Sequence, residues 1–300
     1  MHGERAVRTR VGRGEWAAWE DWGMSSSTDL VLRSFEQGVL LLQWNRPERN
    51  NGWSFDLEHA YFEALRAASM DPDVRVIVVS GVGKAFCPGL DMETLSQAAA
   101  GGGAGTIARK GPTRSHIYVR QIPKPVIAAV NGATAGIGFI QAVACDLRFA
   151  AKGAKMTVAF PRRGLPAENG VSWLLARLVG HGNAADLLLS GRVVTGEEAV
   201  GLGLVNRAYD ADDLLPATLE YAKDMAANCS PRSLAVIKSQ LNADWTRSVE
   251  ETRTESLSLV REMIGKDDFN EGVKSYLEKR TPRYKGLSHD PDSAEPLRPF

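Results

Sequence analysis

Between Val126 and Cys145 the chain runs for twenty residues without a charge. A run of that length is long enough to cross a bilayer as a helix. Asn131, Gln141 and the glycines inside it argue against a span, and its opening, VIAAV, is strand-like. A buried strand, a glycine loop and a buried helix account for the run better. Gly132, Gly136 and Gly138 bring backbone close to a neighbour or a ligand. The helix start that follows offers unpaired N–H groups and the positive end of a dipole. That combination suits an anion, or an oxygen that becomes one. The run itself contains no carboxylate and no histidine, so any acid–base chemistry comes from elsewhere in the chain.

The surrounding pattern is α/β. DLVLRSF and GVLLLQW read as two strands about a Gln-Gly turn, and Asn45-Arg46-Pro47 ends the second. Ser54 to Ser69 has apolar residues at helical spacing: Leu57, Tyr61, Ala64, Leu65 and Ala68. Asp71-Pro72-Asp73 is a turn, and VRVIVVSG after it is a strand buried on both faces, which indicates parallel pairing. VIAAVNG, the glycine helix and DLRFAA repeat the order, and the alternation ends at GLGLVNRAY. Residues 212–242 and 246–280 read as helices, and SHDPDSAEPLRPF is a tail without packing periodicity. The expected organisation is an N-terminal extension over 1–28, a core over 29–209, a helical region over 210–285 and a tail over 286–300. QAAAGGGAGTIARKG, residues 97–111, is a glycine-rich loop, either linking two halves of a site or plainly solvated.

Charges balance at 36 basic and 36 acidic residues, so bulk electrostatics predicts no nucleic-acid partner. Cys87, Cys145 and Cys229 are too sparse for a disulfide framework and indicate a reduced, cytoplasmic setting. No Cys or His pair has ligand spacing, so no metal site is expected. The N-terminus has no apolar core of a signal peptide. Trp16, Trp19 and Trp22 precede Met24 and SSST, which reads as a disordered extension or an upstream start, with a docking arm as the alternative.

Gly136-Ile137-Gly138 begins like a dinucleotide fingerprint, but Gln141 stands where the third glycine belongs. Gly83-Lys84 is followed by Ala85, so it is no phosphate-binding P-loop. A second segment, SGVGKAFCPGLDMETL over residues 80–95, also follows an apolar strand and turns at Pro88-Gly89. Ligands of α/β folds gather at that strand edge. Two such loops can aim two N–H groups at one oxygen. Two ordinary strand-to-helix turns are the plain alternative.

The segments WNRPERNN, GVGKAFCPGLDM, IPKPVIAAVNGATAGIGFIQAVACDLRFA, FPRRGLPAENGVSWLLARLVG, LLLSGRVVTGEEAVGLGLVNRAY and FNEGVKSYLEKRTPRY stand in the order of one family. Over residues 29–285 the chain resembles the crotonase superfamily, the enoyl-CoA hydratases and isomerases. The resemblance implies an α/β fold, a crotonase-like spiral of ββα turns with a helical C-terminal region. It implies an acyl-CoA substrate, no cofactor beyond coenzyme A, a place in fatty acid metabolism and a homotrimer or dimer of trimers.

Carried over residue by residue, the oxyanion-hole N–H groups fall on Leu90, after Gly89, and Ile137, after Gly136. Hydratases of the family carry a glutamate on the glycine helix, where this chain has Ile140. Glu168, after the Gly164-Leu165 unit, corresponds best to the single acid of isomerase-like branches. One base that takes a proton at C2 or C4 and returns it at the other suffices for double-bond isomerisation. A helix-capping or surface role is the alternative for Glu168. His116 is a candidate second acid–base on a helix lining the acyl pocket, or a structural histidine. Asp91 caps or braces its loop, and Cys87 is a small buried filler. Arg46, Lys84, Lys279 and Lys285 are candidate cations for the CoA phosphates. The favoured reaction is isomerisation. Hydration, hydrolysis of a thioester or C–C bond through His116, and a silent CoA-binding subunit are the alternatives.

Overall fold

The computed structural model describes residues 29–91, 96 and 114–293. The N-terminal extension, the glycine-rich loop and the last seven residues of the expected tail lie outside the described residues. β1 (Val31–Glu36) and β2 (Val39–Trp44) form an antiparallel hairpin. Its two turn residues, Gln37 and Gly38, both have positive φ, 50° and 82°, as a turn matching the strand twist requires. Ser54 caps α1 (Phe55–Met70) by accepting a bond from the Leu57 N–H at 3.2 Å. Leu57, Tyr61, Leu65 and Ala68 form the apolar stripe by which α1 packs on the core.

Beyond α1 the chain repeats a unit of two strands and a helix. β3 (Val76–Gly81) leads to β4 (Ala85–Cys87). β5 (Val126–Val130) leads to β6 (Ala133–Ala135) and α2 (Ile137–Ala144). β7 (Leu147–Ala151) leads to β8 (Lys155–Thr157) and α3 (Val171–Ser190). β9 (Val194–Thr195), α4 (Gly196–Gly201) and β10 (Arg207–Tyr209) follow. The first strand of each unit joins a six-stranded sheet, β1-β2-β3-β5-β7-β10, parallel from β2 onward. The second joins a four-stranded sheet, β4-β6-β8-β9. The chain therefore winds as a spiral between two sheets. β3 and β5 are buried at every position, which explains their apolar runs VIVV and VIAAV.

Asn131, just after β5, links successive turns of the spiral. Its Nδ2 donates to the Gly81 and Gly83 carbonyls at 3.0 and 2.9 Å, and its Oδ1 accepts the Gly81 N–H at 3.2 Å. A Cβ at Gly138 would lie 2.0 Å from the Cys87 carbonyl, so α2 sits on β4 with no room for a side chain.

No strand follows Tyr209 among the described residues. α5 (Ala211–Asn228), α6 (Pro231–Ala243), α7 (Val249–Met263) and α8 (Asp267–Leu277) take its place. Each of the two expected long helices is broken once. Ser230 caps a new helix whose first residue is Pro231, which has no N–H to continue the old one. Gly265, at φ 81°, separates α7 from α8. α7 buries none of its residues within this chain. The tail also departs from expectation. Residues 286–293 run back along α1: Leu287 is buried, Ser69 Oγ donates to the His289 carbonyl at 2.6 Å, and Arg66 pairs with Asp290. Hydrogen bonds and charges hold this segment, and neither leaves a periodic trace in sequence. No helix among the described residues is long and apolar enough to cross a membrane.

Candidate active site

Two backbone turns meet at the site. After β4 the chain passes through Pro88-Gly89-Leu90, with Gly89 at φ 106°. Leu90 forms a parallel bridge with Trp53: the Trp53 N–H donates to the Gly89 carbonyl at 2.7 Å, and the Asp91 N–H donates to the Trp53 carbonyl at 3.1 Å. In such a bridge the flanking residues make the bonds, so the N–H of Leu90 itself points away from Trp53. Gly136, at φ 52° and ψ −119°, is the N-cap of α2. Ile137 is the first residue of that helix, and its N–H has no acceptor within the helix. A Cβ on Gly136 would stand 3.8 Å from the Gly89 Cα, so the two turns touch main chain to main chain. The positive φ at both positions is what favours glycine there.

Both turns line one cavity of about 390 Å³. Leu90 and Ile137 line it together with Val158, Phe160, Leu165 and Glu168. Glu168 precedes Asn169 and Gly170, at φ 51° and 72°, which turn the chain into α3. Gly170, and not Glu168, is the N-cap of α3. Partial burial pushes its carboxyl above the ordinary glutamate value. Asp91, the other carboxylate on the cavity wall, is differently placed. It pairs with Arg46 Nη1 at 3.0 Å, and that guanidinium also donates to the Gly52 carbonyl. Asp91 thus braces its loop.

Leu90, Ile137, Gly89, Gly136, Asp91 and Glu168 come together on this cavity. Other expected residues do not. Arg46 stands behind the wall, committed to Asp91 and Gly52. Lys84 and Lys279 are exposed and line no part of the cavity, and Lys285 pairs with Asp267 at 2.7 Å. Ile140, wholly buried in α2, does not line the cavity. His116 occupies a turn before a four-residue 3-10 helix, Tyr118–Gln121, and not the helix itself as expected. It is buried, and it does not line the cavity. Its ring packs against Trp53 and Phe62, and its Nε2 lies 3.5 Å from Glu58 Oε2. Burial pushes the Cys87 thiol up to about 12, so it stays protonated at neutral pH, as a filler would.

Arg49, Asn50, Val158, Ala159, Phe160 and Arg163 also line the cavity and were not singled out from sequence. Asn50 and Ala159 adopt positive φ, 51° and 60°. That strain has no sequence signal in an alanine. Arg163 lies in the FPRRG segment, where two adjacent arginines beside a turn glycine were the available hint.

The family model for enoyl-CoA hydratase/isomerase matches residues 34–287. The 1,2-epoxyphenylacetyl-CoA isomerase of Escherichia coli K12 is 30% identical over 86% of this chain and 99% of its own. The crystal structure of an enoyl-CoA hydratase from Polaromonas sp. JS666 is 33% identical and superposes with a TM-score of 0.77, covering 85% of this chain and 99% of that one. An enoyl-CoA hydratase from Mycobacterium marinum is 44% identical, with a TM-score of 0.62 over 73% of this chain and 100% of that one. The ββα spiral, the paired glycine turns and these matches together establish that the chain belongs to the enoyl-CoA hydratase/isomerase family, with the crotonase fold.

Proposed function

We propose that the protein isomerises the double bond of an enoyl-CoA thioester. The observation that carries this reading is the meeting of Leu90, Ile137 and Glu168 on one cavity, with Asp91 tied to Arg46. The two N–H groups hold the thioester oxygen. Glu168 takes a proton from C2 of a 3-enoyl chain, and the electron pair moves through the carbonyl to give a dienolate. The oxyanion so formed is stabilised by both N–H groups. Glu168 returns the proton at C4, which leaves the 2-enoyl thioester and regenerates the carboxylate. The raised carboxyl of Glu168 suits it to both directions of transfer. No group beyond coenzyme A enters the scheme.

Arg49 and Arg163 on the cavity wall are candidates for the CoA phosphates, in place of Lys84 and Lys279. Exposed apolar residues of the C-terminal helices, among them Val249, Val260 and Leu277, support a homotrimer or dimer of trimers. Free, sparse cysteines support a cytoplasmic setting. Hydration is the second reading, because relatives of comparable identity carry hydratase names. Glu168→Gln tests the role of the acid. The variant is expected to lose at least ~100-fold in turnover while acyl-CoA affinity stays within a few-fold. A near-normal rate removes Glu168 from the mechanism.

A further inference from the structure

A buried carboxylate among aromatic rings calls for a reason, because desolvating it is costly unless it is bonded. Glu58 is such a group, 6% exposed on α1. Its Oε2 accepts the indole N–H of Trp53 at 3.0 Å and lies 3.5 Å from His116 Nε2. Trp53 is itself fully buried, edge-on to Trp44 and Tyr61. Its main chain makes both bonds of the bridge that presents Leu90. His116 reaches the other turn: its carbonyl accepts Gln141 Nε2 at 2.9 Å, and Gln141 lies on α2 one turn beyond Ile137.

We infer that Glu58, Trp53 and His116, with Gln141, form a buried strut that fixes the spacing of the Leu90 and Ile137 N–H groups. The inference rests on the oxyanion-hole reading above. These are positioning residues: none of the four lines the cavity. The strut runs from α1, through the Trp53 indole, to the strand segment carrying one donor. Through the His116 main chain it runs to the helix carrying the other. Small errors matter in such a site, since a displacement of about 1 Å can cost ~100-fold in rate.

The test uses Glu58→Met, Glu58→Gln and Gln141→Met beside the wild type. Glu58→Gln keeps an acceptor for the indole, whereas Glu58→Met removes it. The direct readout is the infrared stretch of the thioester carbonyl in bound crotonyl-CoA and decanoyl-CoA, labelled with carbon-13 at that carbon. Two aligned donors lower the stretch on binding. Glu58→Met and Gln141→Met are expected to lose part of that lowering. Their kcat should fall about 10- to 100-fold with KM within about threefold, the signature of an interaction made mainly in the transition state. Glu58→Gln should recover most of both. If Glu58→Met does not fold, Gln141→Met and Glu58→Gln still decide. A full carbonyl shift in the variants overturns the strut, whether or not kcat falls, because a fall without a changed shift is ordinary destabilisation. No shift in the wild type overturns the oxyanion hole itself, which is a separate failure.

Discussion

The cavity wall has two kinds of side: at one, Gly89 and Gly136 stand main chain to main chain; at the other, Glu168 hangs from a turn that leads into α3. The first side is built from parallel strands and a helix start: Gly89, Ile137 and Gly138 are buried, and the Gly89 carbonyl and Asp91 N–H are both bonded to Trp53. The second is built from a segment in which Ala159, Asn169 and Gly170 all take positive φ, and most residues from Pro161 to Pro166 are exposed. The difference follows the chemistry. Donors to a developing oxyanion work by being fixed beforehand, and packed backbone is the stiffest support available. A base that carries a proton between two carbons needs reach and a tuned carboxyl. A half-buried turn offers both.

If that contrast is right, the rigid side tolerates change worst. Gly136→Val places a branched side chain at φ 52° and against Gly89. It should lower kcat about 100-fold or more, the cost of losing one oxyanion donor. Steady-state kinetics, with circular dichroism to confirm folding, checks this; a loss below threefold would break the contrast.

On the mobile-proton side the expected signature is a pH limb. The folded Glu168 carboxyl titrates above the ordinary glutamate value, and the proposed isomerisation needs its ionised form. The rate should therefore fall about tenfold per pH unit below that raised value and level off above it. The same shift works against folding as pH rises: the native state holds the proton longer, so ionising Glu168 costs stability on passing through the native pKa. A pH–kcat profile of the wild type, measured against a flat profile for residual Glu168→Gln activity, sharpens the assignment.

Asp91→Asn tests the brace between Arg46 and the Leu90 loop. Losing one partner of this largely buried pair leaves Arg46 uncompensated, an expected loss of about 1–3 kcal/mol in thermal or urea unfolding. The smallest effect belongs to the far edge of the molecule. Asp290 and Arg66 are each about a third exposed, so Asp290→Asn should cost at most ~1 kcal/mol and leave kcat unchanged.

The same contrast explains what the sequence disclosed. The fixed side is written in local, repeated signals: apolar strands followed by Pro-Gly-Leu or Gly-Ile-Gly, whose proposed role uses main chain alone. Glu168 was legible only through its place after Gly164-Leu165, and the half-buried environment that tunes it was not. Trp53 and Glu58 left no trace, because the pairing of Trp53 with Leu90 spans a distance that no periodicity reports. His116, weighed as a second acid–base or as a structural histidine, lies buried outside the cavity for a related reason. Pro123 and Pro125 stop any helix before β5, and the turn that precedes the 3-10 helix holds the imidazole against Trp53. Arg46 looked like a phosphate cation because sequence shows a charge and not its partner.

The most direct test of the central claim is to offer the purified protein 3-enoyl-CoA, and separately 2-enoyl-CoA in water, and to follow both by mass spectrometry with chromatographic separation of isomers. The account predicts conversion of the 3-enoyl thioester to its 2-enoyl isomer without change of mass. Gain of one water on the 2-enoyl thioester, with the 3-enoyl substrate untouched, would contradict it.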